Sequence, residues 1–495
     1  MNISKSSKLI EHIKSVILVV LLIKTILLLY FLWGDDYLRP EAGASLPLHV
    51  AIDPIEMFQP DRFEISFGGG IHTVTTDTSE KFALLMSCFR TFSVGRNLIV
   101  SYVSDGGIIF DGLRRNGETI TAVFEYFLPF DALIELFGLD RISGSDNIEA
   151  VGEIIYIFGR DNELFIRDKF SGRYFVIAGT HTECFALLRQ AVADVSSPME
   201  RYLSVTALAG IQNSTLWPLS PVSNIHDISY AREDIFTKEN EMPSLVKDFF
   251  GGTLDFVRRI VEPNGTTKYI YGYGEIIVIV HPNGRLEYLR AISSTSRRNT
   301  QLGYLEAFEL ANSFIATRGG FATTSGVEFT PYIKDVLPIS KNGQSGFRFV
   351  LGVKIGEGRI HYQRGEAMII DVLPSGVSYF ARQLVNVNLN ELATSQREHR
   401  HVFSPISNLI AHNEEYVRDV LIRLARITVD AANAEEALPG MILDLLFVNV
   451  THLSSGYVKI YEMQNVLKAA WVLTIAGVDF YFGIESGEPL GYRVR

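Results

Sequence analysis

Apolar residues crowd the beginning of the chain: over residues 15–33 only Ser15, Lys24 and Thr25 are clearly polar. A helix needs roughly 20 such residues to cross a bilayer, so the pattern predicts a transmembrane helix over 15–33. Lys5, Lys8 and Lys14 precede the run and only Arg39 follows it closely, which predicts a cytoplasmic stub over 1–14 and an extracytoplasmic remainder. Tyr30 and Trp33 fall at the outer headgroup level, and Asp35 and Asp36 mark the return to water. A cleaved secretory signal is the competing expectation, with Ala42-Gly43-Ala44 as its small-residue site. The apolar run exceeds the usual h-region of about 7–15 residues, and that site lies well beyond its end.

Past the run, the hydrophobic period switches repeatedly between two and 3.6, which predicts an α+β body of antiparallel sheets with packed helices. Residues 46–197 read as a first α+β domain. A Thr-rich lead followed by Phe-Ala-Leu-Leu occurs in 75–89 and again in 179–191. This is either a duplication or two unrelated amphipathic helices. Residues 198–293 read as a small β-rich domain, in which Pro263-Asn264-Gly265 and Pro282-Asn283-Gly284 supply hairpin turns.

Residues 294–495 read as two consecutive helix-then-strands units. Leu305, Phe308, Ala311 and Ile315 make the first helical stripe, closed by Arg318-Gly319-Gly320. Alternation over 347–355 predicts a strand with one buried face and one wetter face. A meander follows, through 368–373, a turn at Pro374-Ser375-Gly376, and 377–384. In the second unit Asn413 is the expected N-cap of a helix burying Val417, Val420, Leu421, Leu424 and Ile427. Glu414 with Arg418, and Asp419 with Arg423, are the expected ion pairs. Strands are expected over 442–450, 470–476 and 478–484, with Glu485-Ser486-Gly487-Glu488 as the last turn.

Composition narrows the function. Of the 495 residues 47% are hydrophobic, ample for about three domains by the loose prior of about 150 residues each. A net charge of −11, with no basic stripe outside the stub, argues against nucleic acid as a partner of the body. Two cysteines, Cys88 and Cys184, are too few for a disulfide framework, and their pairing is open.

Chemical motifs are sparse. Ser244 and Lys247 fit the S-x-x-K of penicillin-binding enzymes, but no K-T-G follows and a solvated helix start after Pro243 explains them better. His399 and His401 lack a third ligand at metal spacing and read as linker. Glycines at 68–70, 272 and 274, and 356 and 358 read as turns, because none has dinucleotide-binding spacing. No catalytic, cofactor or metal site is expected. Lys24 stands out instead, since an ammonium near the bilayer centre costs roughly 2.5–3.5 kcal/mol and such residues usually face a partner. With Thr25 it makes a polar spot that Ile17, Val20, Leu21, Leu28 and Phe31 flank as a contact face. Snorkelling of Lys24 to the interface is the alternative.

The segments HIKSVILVVLLIKTILLLYFLW, AVFEYFLPFDALIELFGL, NGTTKYIYGYGEIIVIVHPNGRLEYLR, SGFRFVLGVKIGEGRIHYQRGEAMIIDV and AAWVLTIAGVDFYFGIESGEP, in this order, resemble the YycH (WalH) regulatory proteins of Gram-positive bacteria. The match is one of layout and texture rather than of strict signatures. The resemblance implies a single-pass plasma-membrane protein with a three-domain extracytoplasmic body. It implies action with a YycI-like membrane protein on a sensor histidine kinase of the YycG (WalK) kind, through transmembrane contacts, in cell-wall homeostasis. It carries over no catalytic residue. The alternatives are an anchored envelope enzyme using Ser244 and Lys247, and a ligand-sensing extracytoplasmic scaffold.

Overall fold

Strands form where apolar and polar residues alternate, and in the computed structural model they gather into two large sheets, with a main apolar core that reaches into both. The structure describes residues 51–75, 80–87, 99–178, 202–218, 225–231, 246–292, 300–321, 329–387, 405–424 and 439–495, with short gaps inside several stretches. It also describes Leu18, Leu21, Lys24 and Thr25.

The first sheet holds β1 (Arg62–Phe67), β2 (His72–Thr75), β3 (Ile99–Tyr102), β4 (Glu118–Val123), β5 (Val151–Ile157), β6 (Glu163–Asp168), β7 (Tyr174–Ala178), β8 (Tyr202–Ser204) and β9 (Leu216–Pro218). Their order is β3-β7-β6-β5-β4-β1-β2-β8-β9. The second sheet begins with β10 (Ile228–Ala231), β11 (Val257–Val261), β12 (Thr267–Tyr271), β13 (Ile276–Val280), β14 (Leu286–Arg290) and β15 (Thr300–Gln301). It continues through β16 (Thr330–Lys341), β17 (Gln344–Ile355), β18 (Gly358–Tyr362), β19 (Met368–Leu373), β20 (Gly376–Arg382) and β21 (Asn386–Val387). It ends with β22 (Val450–Lys459), β23 (Val466–Ile475), β24 (Val478–Gly483) and β25 (Pro489–Val494). Its main path is β11-β12-β13-β14-β20-β19-β17-β18-β22-β23-β10-β21. Among the described strand pairs only β15–β17 and β18–β22 run parallel. Residues 198–293 supply strands to both sheets.

The helices among the described residues include α1 (Pro54–Met57), α2 (Gly106–Asn116), α3 (Phe130–Leu136), α4 (Val205–Ala209), α5 (Tyr304–Ala316), α6 (Pro405–His412), α7 (Glu414–Arg423) and α8 (Pro439–Val448). The stripe of α5 buries Phe308, Ala311 and Ile315 against the second sheet and also grips the first. Phe58, just after α1, meets the Phe308 ring edge-on at 4.7 Å. The Tyr304 hydroxyl donates to the Phe127 carbonyl at 2.7 Å, and Asn312 exchanges two hydrogen bonds with the Ile52 backbone.

The turns at 263–265 and 282–284 join β11 to β12 and β13 to β14 as expected, with Gly265 and Gly284 at positive φ. Other expectations need correction. Residues 442–450 are mostly helix: Pro439 starts α8, where its missing N–H leaves no bond unmade, and Leu446 and Phe447 enter a second core cluster. A continuous apolar run such as Met-Ile-Leu-Asp-Leu-Leu-Phe-Val carries no period that separates a buried strand from a buried helix. Asn413 precedes α7 but makes no capping bond; its amide donates to the carbonyls of Leu409 and Gly487, each at 2.9 Å, and so ties the end of α6 to the last turn. Arg418 pairs with Asp419 at 3.2 Å and Glu415 at 3.9 Å, rather than with Glu414. In β17 both faces are buried midway, because Gly352 lacks the Cβ that would collide with the Tyr332 ring folded across it.

No helix among the described residues is long and apolar enough to cross a membrane. Within residues 15–33 the structure describes Leu18, Leu21, Lys24 and Thr25, all helical, and the Thr25 hydroxyl donates to the Leu21 carbonyl at 2.8 Å.

Candidate functional site

Along β1, period-two alternation sends Phe63 and Ile65 into the core and Arg62 and Glu64 to the opposite face. Register carries this polar row across the sheet: Arg62 lies opposite Val123, Val123 opposite Glu153, and Glu153 opposite Arg167. Glu125 follows β4 and Lys169 follows β6 at the same end. The second sheet answers with Arg359 on β18, His452 on β22 and Arg495 after β25.

These residues build an ionic seam. Arg62 bonds Glu64 at 2.9 Å and Glu125 more closely. Glu125 also faces His452 Nδ1 at 3.6 Å and Arg495 at 3.9 Å, and its backbone N–H donates to Asp61 at 2.6 Å. Asp61 accepts from Arg359 at 2.8 Å, and the Arg359 guanidinium lies over the Tyr332 ring at 4.6 Å from its centre. Arg495 bonds Asp479 at 2.7 Å. The seam therefore runs from the first sheet to the second through charges on both.

Beside the seam a cavity of about 610 Å³ opens between the first sheet and β22–β23. Its walls include Arg62, Glu64, Glu125, Glu153, Arg167, Lys169, His452 and Arg495, with Tyr202, Ser454 and Trp471 among the remainder.

Burial sets the protonation states. It pushes His452 down to about 4, with Glu125 opposing and Arg62 and Arg495 assisting, so the imidazole is neutral at pH 7. It pushes the Glu125 carboxyl up, but His452, Arg62, Arg495 and Arg359 outweigh it and hold the group well below the usual range. Asp61 is raised, because burial exceeds the pull of Arg359. Burial lowers the Lys169 ammonium against the attraction of Asp61 and Glu125, and lowers His361 well below its ordinary value.

None of the seam residues is singled out by sequence alone. Lys24, Thr25 and Leu21 share a helical turn, while Ile17, Val20, Leu28 and Phe31 lie outside the described residues. So do Ser244, His399, His401, Cys88, Cys184 and the segment 179–191; Lys247 is exposed. Among the described residues no group of three or more His, Cys, Asp or Glu is arranged to hold a metal.

The chain is similar to the crystal structure of YycH from Bacillus subtilis, at a TM-score of 0.52 and 11% identity, over 90% of this chain and 98% of that one. The body has a YycH-like fold. The C-terminal domain of YpeB from Bacillus megaterium matches at a TM-score of 0.22 and 11% identity, over 53% of this chain and 99% of that one, and nothing is argued from it. No protein-family model and no curated protein matches the chain.

Proposed function

We propose that this protein is a non-enzymatic regulator of a sensor histidine kinase, anchored by one N-terminal helix in the plasma membrane of a Gram-positive bacterium, with its N-terminus cytoplasmic and its body outside. The observation that carries this is the YycH-like fold over 90% of the chain. The apolar run over 15–33, with Lys24 inside it, supports the anchoring and supplies the contact face for a YycG-like kinase and a YycI-like partner. The experiment replaces residues 15–33 by an unrelated apolar helix and reads a kinase-dependent reporter in cells. Loss of regulation with the body still at the membrane is expected, as is a smaller loss with Lys24→Leu. Unchanged signalling after the full replacement overturns the transmembrane mechanism. Protease protection of the body in intact cells overturns the orientation.

The inter-sheet cavity favours a second reading, in which the body senses a ligand and biases the helix. That reading requires a ligand that binds two arrangements of the body unequally.

A further inference from the structure

From the walls of the inter-sheet cavity we infer that it is a binding site for a small, hydroxyl-rich carboxylate, a sugar acid in chemical class, whose acid group is held by Arg167, Lys169 and Arg495. The inference goes beyond the regulator reading and does not depend on it.

Size comes first. Small-molecule sites span about 300–1,000 Å³, and the cavity's volume of about 610 Å³ lies inside that range. Its lining mixes charged and hydrogen-bonding side chains with apolar ones such as Val123, Leu216, Leu453 and Trp471, and a lipid tail would cover those polar groups at the cost of their hydrogen bonds. Such walls suit a ligand carrying hydroxyls.

Charge then selects the sign. Four lining side chains are cations, Arg62, Arg167, Lys169 and Arg495, and three are carboxylates, Glu64, Glu125 and Glu153. Every one of those carboxylates already bonds an arginine: Glu64 and Glu125 bond Arg62, and Glu153 bonds Arg167 at 3.1 Å. The Lys169 ammonium, by contrast, hydrogen-bonds the carbonyls of Phe124 and Glu125, and among the described residues it forms no ion pair. The charges of Asp61, Glu125 and Asp335 act on it from beyond contact distance, so a ligand carboxylate would supply a partner in direct contact.

Two arginines keep a donor. Arg167 and Arg495 line the cavity about 40% exposed; Arg167 gives Nη1 to Glu153, and Arg495 gives Nε to Asp479 and Nη2 to Thr474, so Nη2 of Arg167 and Nη1 of Arg495 are the terminal donors left for another acceptor. A charged donor from each would bond a ligand carboxylate. The chain's net charge of −11 does not gather anions in general, so recognition at this position depends on the local walls. Arg167 and Lys169 belong to the first sheet and Arg495 to the second, so the ligand would bridge the two.

The test is calorimetric titration of the full chain with D-glucuronate, D-glucose and inorganic phosphate. The expected result is saturable binding of glucuronate, with glucose and phosphate at least about tenfold weaker, a difference of about 1.4 kcal/mol. Lys169→Met and Arg167→Met each weaken glucuronate by about tenfold or more, and Lys169→Arg, which keeps the charge, restores most of the affinity. Far-ultraviolet circular dichroism and thermal melting establish that each variant is folded, and Arg167→Met carries the test if Lys169→Met is not. Absence of glucuronate binding, equal binding of phosphate, or affinity unchanged in both methionine variants overturns the inference. None of these outcomes bears on the transmembrane mechanism; they bear on the ligand-sensing reading alone.

Discussion

Of the contacts between the first sheet and the second, two use opposite chemistry; a third, where Trp217 of β9 meets Phe447 and Asn213 bonds the Val450 carbonyl, belongs to the second core cluster. Around α5 the junction is apolar: Phe58, Tyr304, Phe308 and Phe349 pack ring against ring, with hydrogen bonds only at the rim. At the seam it is ionic, with Asp61, Arg62, Glu125, Arg359, His452 and Arg495 in one connected set beside a cavity. Apolar packing is indifferent to pH and to small solutes, whereas buried charges respond to both. The molecule is thus fastened on one side and left addressable on the other, and the seam is where an external chemical change can alter how the sheets are joined.

The largest expected effect falls on the apolar side. Phe308→Ala leaves a cavity among Phe58, Tyr304 and Phe349 and should cost about 3–5 kcal/mol in denaturant unfolding. Its cost should be the same at pH 7 and pH 4.5, since no titrating group lies in the ring cluster at those values. A cost that changes with pH would break the contrast.

Next comes the seam itself. Arg359→Met strands Asp61, whose side chain is only 5% exposed, and removing one member of a buried pair costs about 3–5 kcal/mol. The partial exposure of Arg359, 17%, places the expectation at the lower end, about 3 kcal/mol. Adding Asp61→Asn keeps an oxygen for the Glu125 N–H while removing the stranded charge. The double variant should therefore be more stable than the sum of the two single losses, by about 1–3 kcal/mol. Strict additivity would mean that the pair contributes nothing as a pair.

His452 sharpens the pH side. Its folded value of about 4 lies below the ordinary 6.5, so the folded state prefers the neutral ring. That contribution is fully present above pH 6.5 and is lost as pH falls from 6.5 toward 4, amounting to about 3 kcal/mol. Buried His361, also lowered, acts in the same direction. His452→Gln should flatten the stability profile across this window while changing stability at pH 7 by less than about 1 kcal/mol. Equilibrium denaturation at a series of pH values reads both quantities.

How much of this was legible in the sequence follows from distance along the chain. The hairpins at 263–265 and 282–284 were, because Pro-Asn-Gly fixes a turn within a few residues. The stripe of α5 was too, since period and burial coincide on Phe308, Ala311 and Ile315. The helix α8 was not, because a run with Asp444 as its single charged residue has almost no period to read. The seam was least legible: Arg62 and Glu64 show their alternation locally, but Asp61 meets Arg359 across 298 positions, and no local pattern announces that partner. Asn413 lies between, correctly placed at a helix start and given the wrong bond, since its acceptor Gly487 belongs to a distant turn.

The smallest expected effect isolates burial as the cause of the contrast. On α7, Arg418 meets Asp419 and Glu415 with the same chemistry as the seam, but Asp419 is 53% and Glu415 is 87% exposed. Water screens both partners, and ordering the side chains offsets most of the attraction, so Arg418→Ala should cost less than about 0.5 kcal/mol. At about 1 M salt, where the screening length falls to about 3 Å, even that should vanish, while the cost of Arg359→Met should largely persist because Asp61 and Arg359 are themselves only 5% and 17% exposed. If Arg418→Ala and Arg359→Met lose stability equally, or fade together with salt, then charge alone sets the energetics and the seam has no special standing. If only the exposed pair fades, enclosure between two sheets is what turns ordinary ion pairs into a junction that can be addressed chemically.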